Sequence, residues 1–389
     1  MSNTLHSKPC NGFSLVDIMV GMVVGLLAML AIMQSFSAFE GQKRTTTTGM
    51  EAQENGLMAL QALETDIRQA GYGMTTNGAL ACTTTNTYNS TATPATQLGT
   101  TFIPIQITDG LAGSSDTITA TYSTSATGGM PAHIVVAMPS PSAILTVNTG
   151  NGFNVGDMLL LSSPGSGLPC SRLVATQIQP QANGVNLVHN SGQSNYNPPG
   201  GSNIFPPGGY GTNSVVFNMG NMVQNQYQVL CSSLTTTNLA VSAAGTCTSS
   251  PTTFANATPL SSNIVSIQAQ YGITSTIPGN QQVSCWTDAT GSACNGTNWA
   301  APPAADVARI KAIRVAVVAR SSLSERPPTA GGVCAATPST AAPNYPQWNG
   351  GVGGAVATID VTAIPNWQCY RYKVYQTIIP LRNILWANL

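Results

Sequence analysis

Between Phe13 and Met33 the chain reads FSLVDIMVGMVVGLLAMLAIM, and from Ile18 to Met33 no residue is polar. That run comes close to the ~20 apolar residues a bilayer-crossing helix needs, and it limits the chain's fate more than any other feature. One carboxylate, Asp17, stands near its start. An unpaired acid at membrane depth costs ~2.5 kcal/mol or more, so a partner for Asp17 is the default inference.

Three readings of the segment compete. In a secretory signal peptide, Ser35-Phe36-Ser37-Ala38 would offer small residues for cleavage beyond the apolar core. Against this, the preceding region has a single basic residue, Lys8, and an acid opens the core. A lipoprotein signal using Cys10 fails on order, because a lipidated cysteine follows the apolar core and Cys10 precedes it. In the third reading a leader is cut after Gly12 and the apolar helix stays on the mature protein. Phe13 then carries a new amine, and Asp17 lies four residues on, on the same helical face. Free backbone N–H groups and the helix dipole also favour a carboxylate in a first turn. Gly21 and Gly25 form a G-x-x-x-G that permits close helix packing.

Only 7% of residues are charged, against about a quarter in ordinary globular chains. No Lys or Arg lies between Arg68 and Arg172, and none again before Arg309. Thr- and Asn-rich, charge-poor sequence with short apolar runs suits β-rich exported proteins. The formal net charge of zero favours neither nucleic acid nor an anionic surface.

Nine cysteines occur without a C-x-x-C, and the only histidines are His6, His133 and His189, which gives a zinc site poor support. If Cys10 leaves with a leader, eight remain: Cys82, Cys170, Cys231, Cys247, Cys285, Cys294, Cys334 and Cys369. An even number fits disulfides in an oxidising compartment, with buried free thiols as the alternative. Of 105 pairings, joining neighbours gives Cys82–Cys170, Cys231–Cys247, Cys285–Cys294 and Cys334–Cys369.

Leu57, Leu60, Leu63 and Ile67 recur at helical spacing, so the helix continues past the membrane and lays an apolar stripe on a sheet. Gly71 and Gly73 supply its stop. Gly41 to Gly49, with four consecutive threonines, is weak helix sequence, and a bend or a segment able to unwind is expected there. From Cys82 to about Ala300 many short strands follow. Ile118, Ala120 and Tyr122 share one strand face, and Val265, Ile267, Ala269 and Tyr271 another. Asn197-Pro-Pro-Gly-Gly and Phe205-Pro-Pro-Gly-Gly read as exposed loops. Late strands, 309–320 and 370–382, each present a partly basic face.

Catalytic chemistry finds little footing. There is no G-x-S-x-G and no P-loop spacing, His133 and His189 stand apart, and Asp109, Asp116 and Asp157 are isolated. No catalytic residue, metal site or cofactor is assigned. Arg309, Lys311, Arg314, Arg320, Arg326, Arg371, Lys373 and Arg382 cluster late. They could line a DNA-contacting stripe, although a solvated strand face or a face meeting a partner's acids is the better reading.

The stretch Gly12-Phe13-Ser14-Leu15-Val16-Asp17 resembles the class III signal of type IV pilins and type II secretion pseudopilins, with Asp where Glu is usual. The resemblance implies cleavage after Gly12 by a prepilin peptidase, methylation of the Phe13 amine, and pairing of Asp17 with the amine of a neighbouring subunit. Gln53-Glu54-Asn55-Gly56 through Asp66-Ile67-Arg68-Gln69-Ala70-Gly71-Tyr72-Gly73 resembles the PilW-type minor pilins, as does the ending Pro380-Leu381-Arg382-Asn383. This family implies an α+β, pilin-like fold, in which a long N-terminal transmembrane and amphipathic helix packs on an antiparallel β-rich domain. The expected division is a leader at 1–12, a helix at 13–71 spanning the membrane over about 13–36, and a globular domain at 72–389.

Implied partners are other minor pilins, the major pilin, a tip adhesin, the prepilin peptidase and the inner membrane. The implied role is initiation of pilus assembly and formation of a tip complex serving motility, adhesion or DNA uptake. The chain would sit in the inner membrane first and on the surface pilus later. Two alternatives remain open. One is the minor pseudopilin J of a type II secretion system, and the other is a membrane-anchored exported adhesin with an ordinary signal.

Overall fold

The computed structural model describes residues 14–74, 82, 84–110, 113–127, 129–139, 144–200, 204–275, 281–327, 331–341 and 343–387. Its first element is a helix over Leu15–Gln69. Ser14 opens it, its Oγ accepting the Val16 N–H at 3.4 Å, which satisfies one of the donors a helix start leaves free. By length and composition this helix can cross a membrane, and its apolar run over residues 15–33 is exposed throughout. The chain divides into two compact units, 1–51 and 52–389.

The threonine run does not break the helix. Thr45 Oγ1 and Thr46 Oγ1 donate to the carbonyls of Gly41 and Gln42 four residues back, both at 3.0 Å, and Thr48 Oγ1 donates to Thr45 O. A segment with good helix on either side costs no new nucleus, so weak local propensity is overridden. At the other end the helix stops at Gln69, and Gly71 takes φ +79°, a conformation open to glycine at little cost.

The buried stripe also differs from the leucine pattern. Ala52, Ala59, Leu63, Ile67 and Ala70 are buried, whereas Leu57 is 49% exposed and Leu60 only partly covered. Small residues at 52, 56 and 59 let the helix approach the sheet closely, and Leu57 falls just off that line.

Two antiparallel sheets receive the stripe. One has the strand order Thr258–Ser262, Ser233–Asn238, Val223–Leu230, Thr117–Tyr122, Ile105–Thr108. The other runs Cys285–Thr287, Ile264–Ile273, Ile310–Arg320, Tyr372–Pro380. Together with the helix they enclose one apolar core that includes Ile118, Leu234, Ile267, Val315 and Ile379. The Ile310–Arg320 strand sends Ile313, Val315, Val317 and Ala319 into this core and Ala316 and Val318 to the opposite face. That second face is covered by Tyr345, Trp348, Ile359 and Val361, so it is not solvated.

A bulge corrects the expected face of the neighbouring strand. Ile264 pairs with Ala319 and Ser266 with Val318, which leaves Val265 as the extra residue. Ile264 and Ile267 therefore share the helix-side core, while Val265 packs on the reverse face. An inserted residue in one strand reverses the alternation on one side of it. On Thr117–Tyr122 the expected polar face is covered as well, with Thr119 and Thr121 buried.

Strands Thr117–Tyr122 and Val223–Leu230 pair antiparallel, Tyr122 opposite Val223, and residues 123–222 form an excursion between them. The excursion supplies most of a six-stranded sheet ordered Thr96–Thr100, Thr85–Tyr88, Cys170–Val174, Met158–Ser162, Val215–Gly220, Pro131–His133. It also forms a three-stranded sheet of Ile144–Val147, Gly184–Val188 and Gln177–Gln181. This inserted lobe has its own apolar clusters, one around Leu159, Leu187 and Tyr210 and one around Leu160, Phe217 and Met219. The two Pro-Pro-Gly stretches belong to it; Pro199, Gly200, Pro207 and Gly208 are exposed, while the residue leading each stretch is anchored. Asn197 is fully buried, its side chain accepting from Val174 N and donating to Val174 O, and Phe205 packs in the first cluster.

Candidate functional site

Of the residues expected to be processed, Gly12 and Phe13 lie outside the described residues, as does Cys10. Asp17 is exposed in the first helical turn, its N–H donating to Ser14 O at 3.0 Å. Gly21 and Gly25 lie on the same exposed stretch, and a Cβ at either would meet nothing within 4 Å.

The structure assigns the PilW-like motif residues a common task, which is fastening the helix end to the sheets. Gly56 lies under Tyr375, where an added Cβ would stand 2.2 Å from the ring. Asn55 O accepts the Ser261 hydroxyl at 2.8 Å. Asp66 takes three donors, namely Asn225 Nδ2 at 2.6 Å, Tyr227 OH at 2.7 Å and Tyr122 OH at 3.3 Å. Burial and the facing carboxylate push the Tyr122 phenol up to about 12 and the Tyr227 phenol upward too, so both hydroxyls stay protonated as donors. Beyond the helix, Gly71 N donates to Thr121 O, and a Cβ on Gly73 would stand 2.5 Å from that of Ser123.

Asn383 has a role that spacing did not reveal. Its Nδ2 donates to the carbonyls of Arg68, Gln69 and Ala70 at 3.1–3.3 Å. The two N–H bonds of this one amide are shared among carbonyls of the helix end, where Gln69 O also accepts the Tyr72 N–H at 2.9 Å. The only sequence signal was the closing Leu-Arg-Asn itself.

The late basic residues do not share one face. Arg309, Lys311 and Arg314 are buried. Arg309 pairs with Asp306 at 2.9 Å and donates to the carbonyls of Thr274, Asn295 and Cys294. Arg314 bonds Gln270 and sits between Trp286 and Trp348, at 4.7 and 5.7 Å from their ring centroids. Arg320 covers Tyr370, and Arg371 pairs with Glu325. Arg309, Arg314 and Arg320 each meet an aromatic ring or a carbonyl, so neither a DNA-contacting stripe nor a solvated face describes them, whereas Arg326, Arg371, Lys373 and Arg382 are exposed.

The isolated titratable groups have local partners. Asp116 is buried and accepts the N–H groups of Gly110 and Ala269 at 2.9 and 2.7 Å. Burial nonetheless raises its pKa to about 7. Asp157 accepts from Asn154 N and Asn218 Nδ2. His133 is exposed, and His189 is buried against Phe205 with its pKa lowered by burial to about 4. Among the described residues no group of His, Cys, Asp and Glu is arranged to hold a metal ion.

Four disulfides are formed, Cys82–Cys170, Cys231–Cys247, Cys285–Cys294 and Cys334–Cys369. Each joins cysteines adjacent in the sequence order. They tie the inserted lobe, the hairpin tips and the cover of the reverse face to nearby strands.

The architecture is that of an α+β protein in which one long helix, apolar at its start, ends against a β-rich body. Residues 220–383 match the family PilW, described as Type IV Pilus-assembly protein W. Over that region, less than half of the chain, it is similar to PilW-type proteins. Asn225, Tyr227, Ser261, Tyr375 and Asn383, which hold the helix end, all fall inside the matched region. The comparisons with curated proteins and with solved structures gave no match.

Proposed function

We propose that this chain is a minor pilin of a type IV pilus that acts in the initiation of assembly and in the tip complex. A prepilin peptidase cuts after Gly12 and methylates the Phe13 amine. The helix then holds the subunit in the inner membrane until it moves into the filament core among other minor pilins and the major pilin, below a tip adhesin. There apolar contact between helices replaces lipid, Gly21 and Gly25 permit close approach, and Asp17 meets the amine of a neighbouring subunit. The observation that carries the reading is the PilW match on the sheets that grip the helix end. The exposed apolar helix start, with a carboxylate in its first turn, supports it.

Mass spectrometry of the mature N-terminal peptide tests the processing step. The expected product begins at methylated Phe13, and an intact leader or a start near Ala38 would sink the pilin reading. Asp17→Ala should leave cleavage unchanged and lower the amount recovered in sheared pili by at least tenfold, because a helix lacking its acid loses the charge pair that sets register. Normal incorporation would refute the pairing. Deleting the gene should abolish twitching and spare exoprotein secretion; the reverse result would assign the chain to a type II secretion pseudopilus.

A further inference from the structure

Arg172 is the only Lys or Arg between Arg68 and Arg309, and the fold places it on the wall of a polar cavity of about 360 Å³. That volume lies in the range of small-molecule sites, ~300–1,000 Å³. The cavity forms at the seam of the two β-lobes: Thr121 and Gln224 come from the helix-bearing part, and Arg172, Tyr196 and Met222 from the insertion. Among the described residues, five threonines, three glutamines and an asparagine line it, with no aspartate or glutamate.

Among the described residues an aromatic ring, but no acid, answers the cation. Its guanidinium carbon lies 4.9 Å from the Tyr196 ring centroid, and among the described residues no ion pair reaches it. Arg172 Nε and Thr85 Oγ1 are both buried without a hydrogen-bond partner. A charge partly withdrawn from water without an answering acid is costly, and a polar lining of hydroxyls and amides does not neutralise it. The surrounding walls are fixed in place. Cys170, two residues before Arg172, is bonded to Cys82. Strand Thr85–Tyr88 runs beside it, Asn86 opposite Ser171. Thr100 Oγ1 donates to Thr85 O at 2.8 Å, and Asn86 Oδ1 accepts Gly99 N at 3.0 Å.

We propose that this cavity binds a carboxylated sugar, such as a hexuronate residue. The carboxylate pairs with the Arg172 guanidinium, whose planar fork suits it. The hydroxyls exchange hydrogen bonds with threonine and glutamine side chains, and Phe102 and Leu239 offer apolar surface to the C–H face of the ring. A neutral sugar would leave the arginine unanswered, and a bare carboxylate would leave the hydroxyl-matching groups unused. The site goes beyond the assembly reading and does not depend on it.

Titration calorimetry on the full chain in detergent micelles, with D-glucuronate, D-glucose and acetate, tests the proposal. D-Glucuronate should bind at least tenfold more tightly than either of the others, and its affinity should fall as NaCl is raised from 20 to 500 mM. Arg172→Met should weaken glucuronate at least tenfold and leave the far-UV spectrum unchanged. Gln224→Leu should weaken glucuronate severalfold without changing acetate, and with the salt series it decides the matter if Arg172→Met does not fold. No glucuronate binding, equal affinity for the three probes, or binding insensitive to both salt and the substitutions would overturn it. A chain that enters pili normally yet ignores glucuronate refutes the sugar site alone.

Discussion

The helix-bearing core and the inserted lobe are held together differently. The core uses long strands, Ile264–Ile273 and Ile310–Arg320, one continuous apolar cluster with the helix, and the Asp66 and Asn383 networks. The lobe uses strands of three to six residues, two smaller clusters and a covalent tie from Cys170 back to Cys82. The PilW match begins at residue 220, where the chain returns from the lobe to pair Val223 with Tyr122. An excursion from a hairpin end disturbs a scaffold least, since the flanking strands keep their register. All five tryptophans lie beyond residue 285, so their fluorescence reports the core, while hydrogen exchange in Ile144–Val147 and Gly184–Val188 reports the lobe.

The largest effect is expected from the double substitution Cys82→Ala, Cys170→Ala. The bond closes a loop of 88 residues, and releasing it should cost about 4 kcal/mol. Exchange in the lobe should accelerate well before tryptophan fluorescence changes in a urea series. One coincident transition would show that the two regions share a single cooperative unit.

Asp66→Ala should act in the opposite place. It strands Tyr227 OH and Asn225 Nδ2 against an apolar helix face and should cost roughly 3 kcal/mol. The tryptophan transition should move to lower urea with lobe exchange little altered; an unchanged midpoint would deny the network its fastening role.

The smallest effect distinguishes the regions by pH. His189 in the lobe has a folded pKa of about 4, below its ordinary value of 6.5, so its contribution is present above 6.5 and lost as pH falls toward 4. At pH 5 the loss should be about 2 kcal/mol relative to pH 8, and His189→Phe should remove it. Asp116 in the core has its pKa raised from 3.8 to about 7. The folded state holds that proton more tightly, so this contribution falls as pH rises from about 4 to 7. Lobe exchange that is flat between pH 5 and 8, or unaffected by His189→Phe, would contradict this assignment.

Much of the architecture was legible because it rests on local rules. The apolar run from Ile18 to Met33, the stop at Gly71 and the alternation of Ile313, Val315 and Val317 each follow from backbone periodicity and side-chain size. They would read the same in any surroundings. The motif residues Gly56, Asp66 and Asn383 were visible as a resemblance, but not as a mechanism.

Local sequence rules set a long apolar-to-amphipathic helix followed by β-rich, charge-poor chain with eight cysteines beyond residue 80. Tertiary contacts decided that Leu57 stays out of the core, that a bulge turns Val265 to the other face, and that Arg309 and Arg314 go inside. It also decided that the chain's one central cation, Arg172, lines a cavity between lobes. These outcomes depend on which strands meet and what covers them, and such contacts join residues too far apart in the chain for local periodicity to encode.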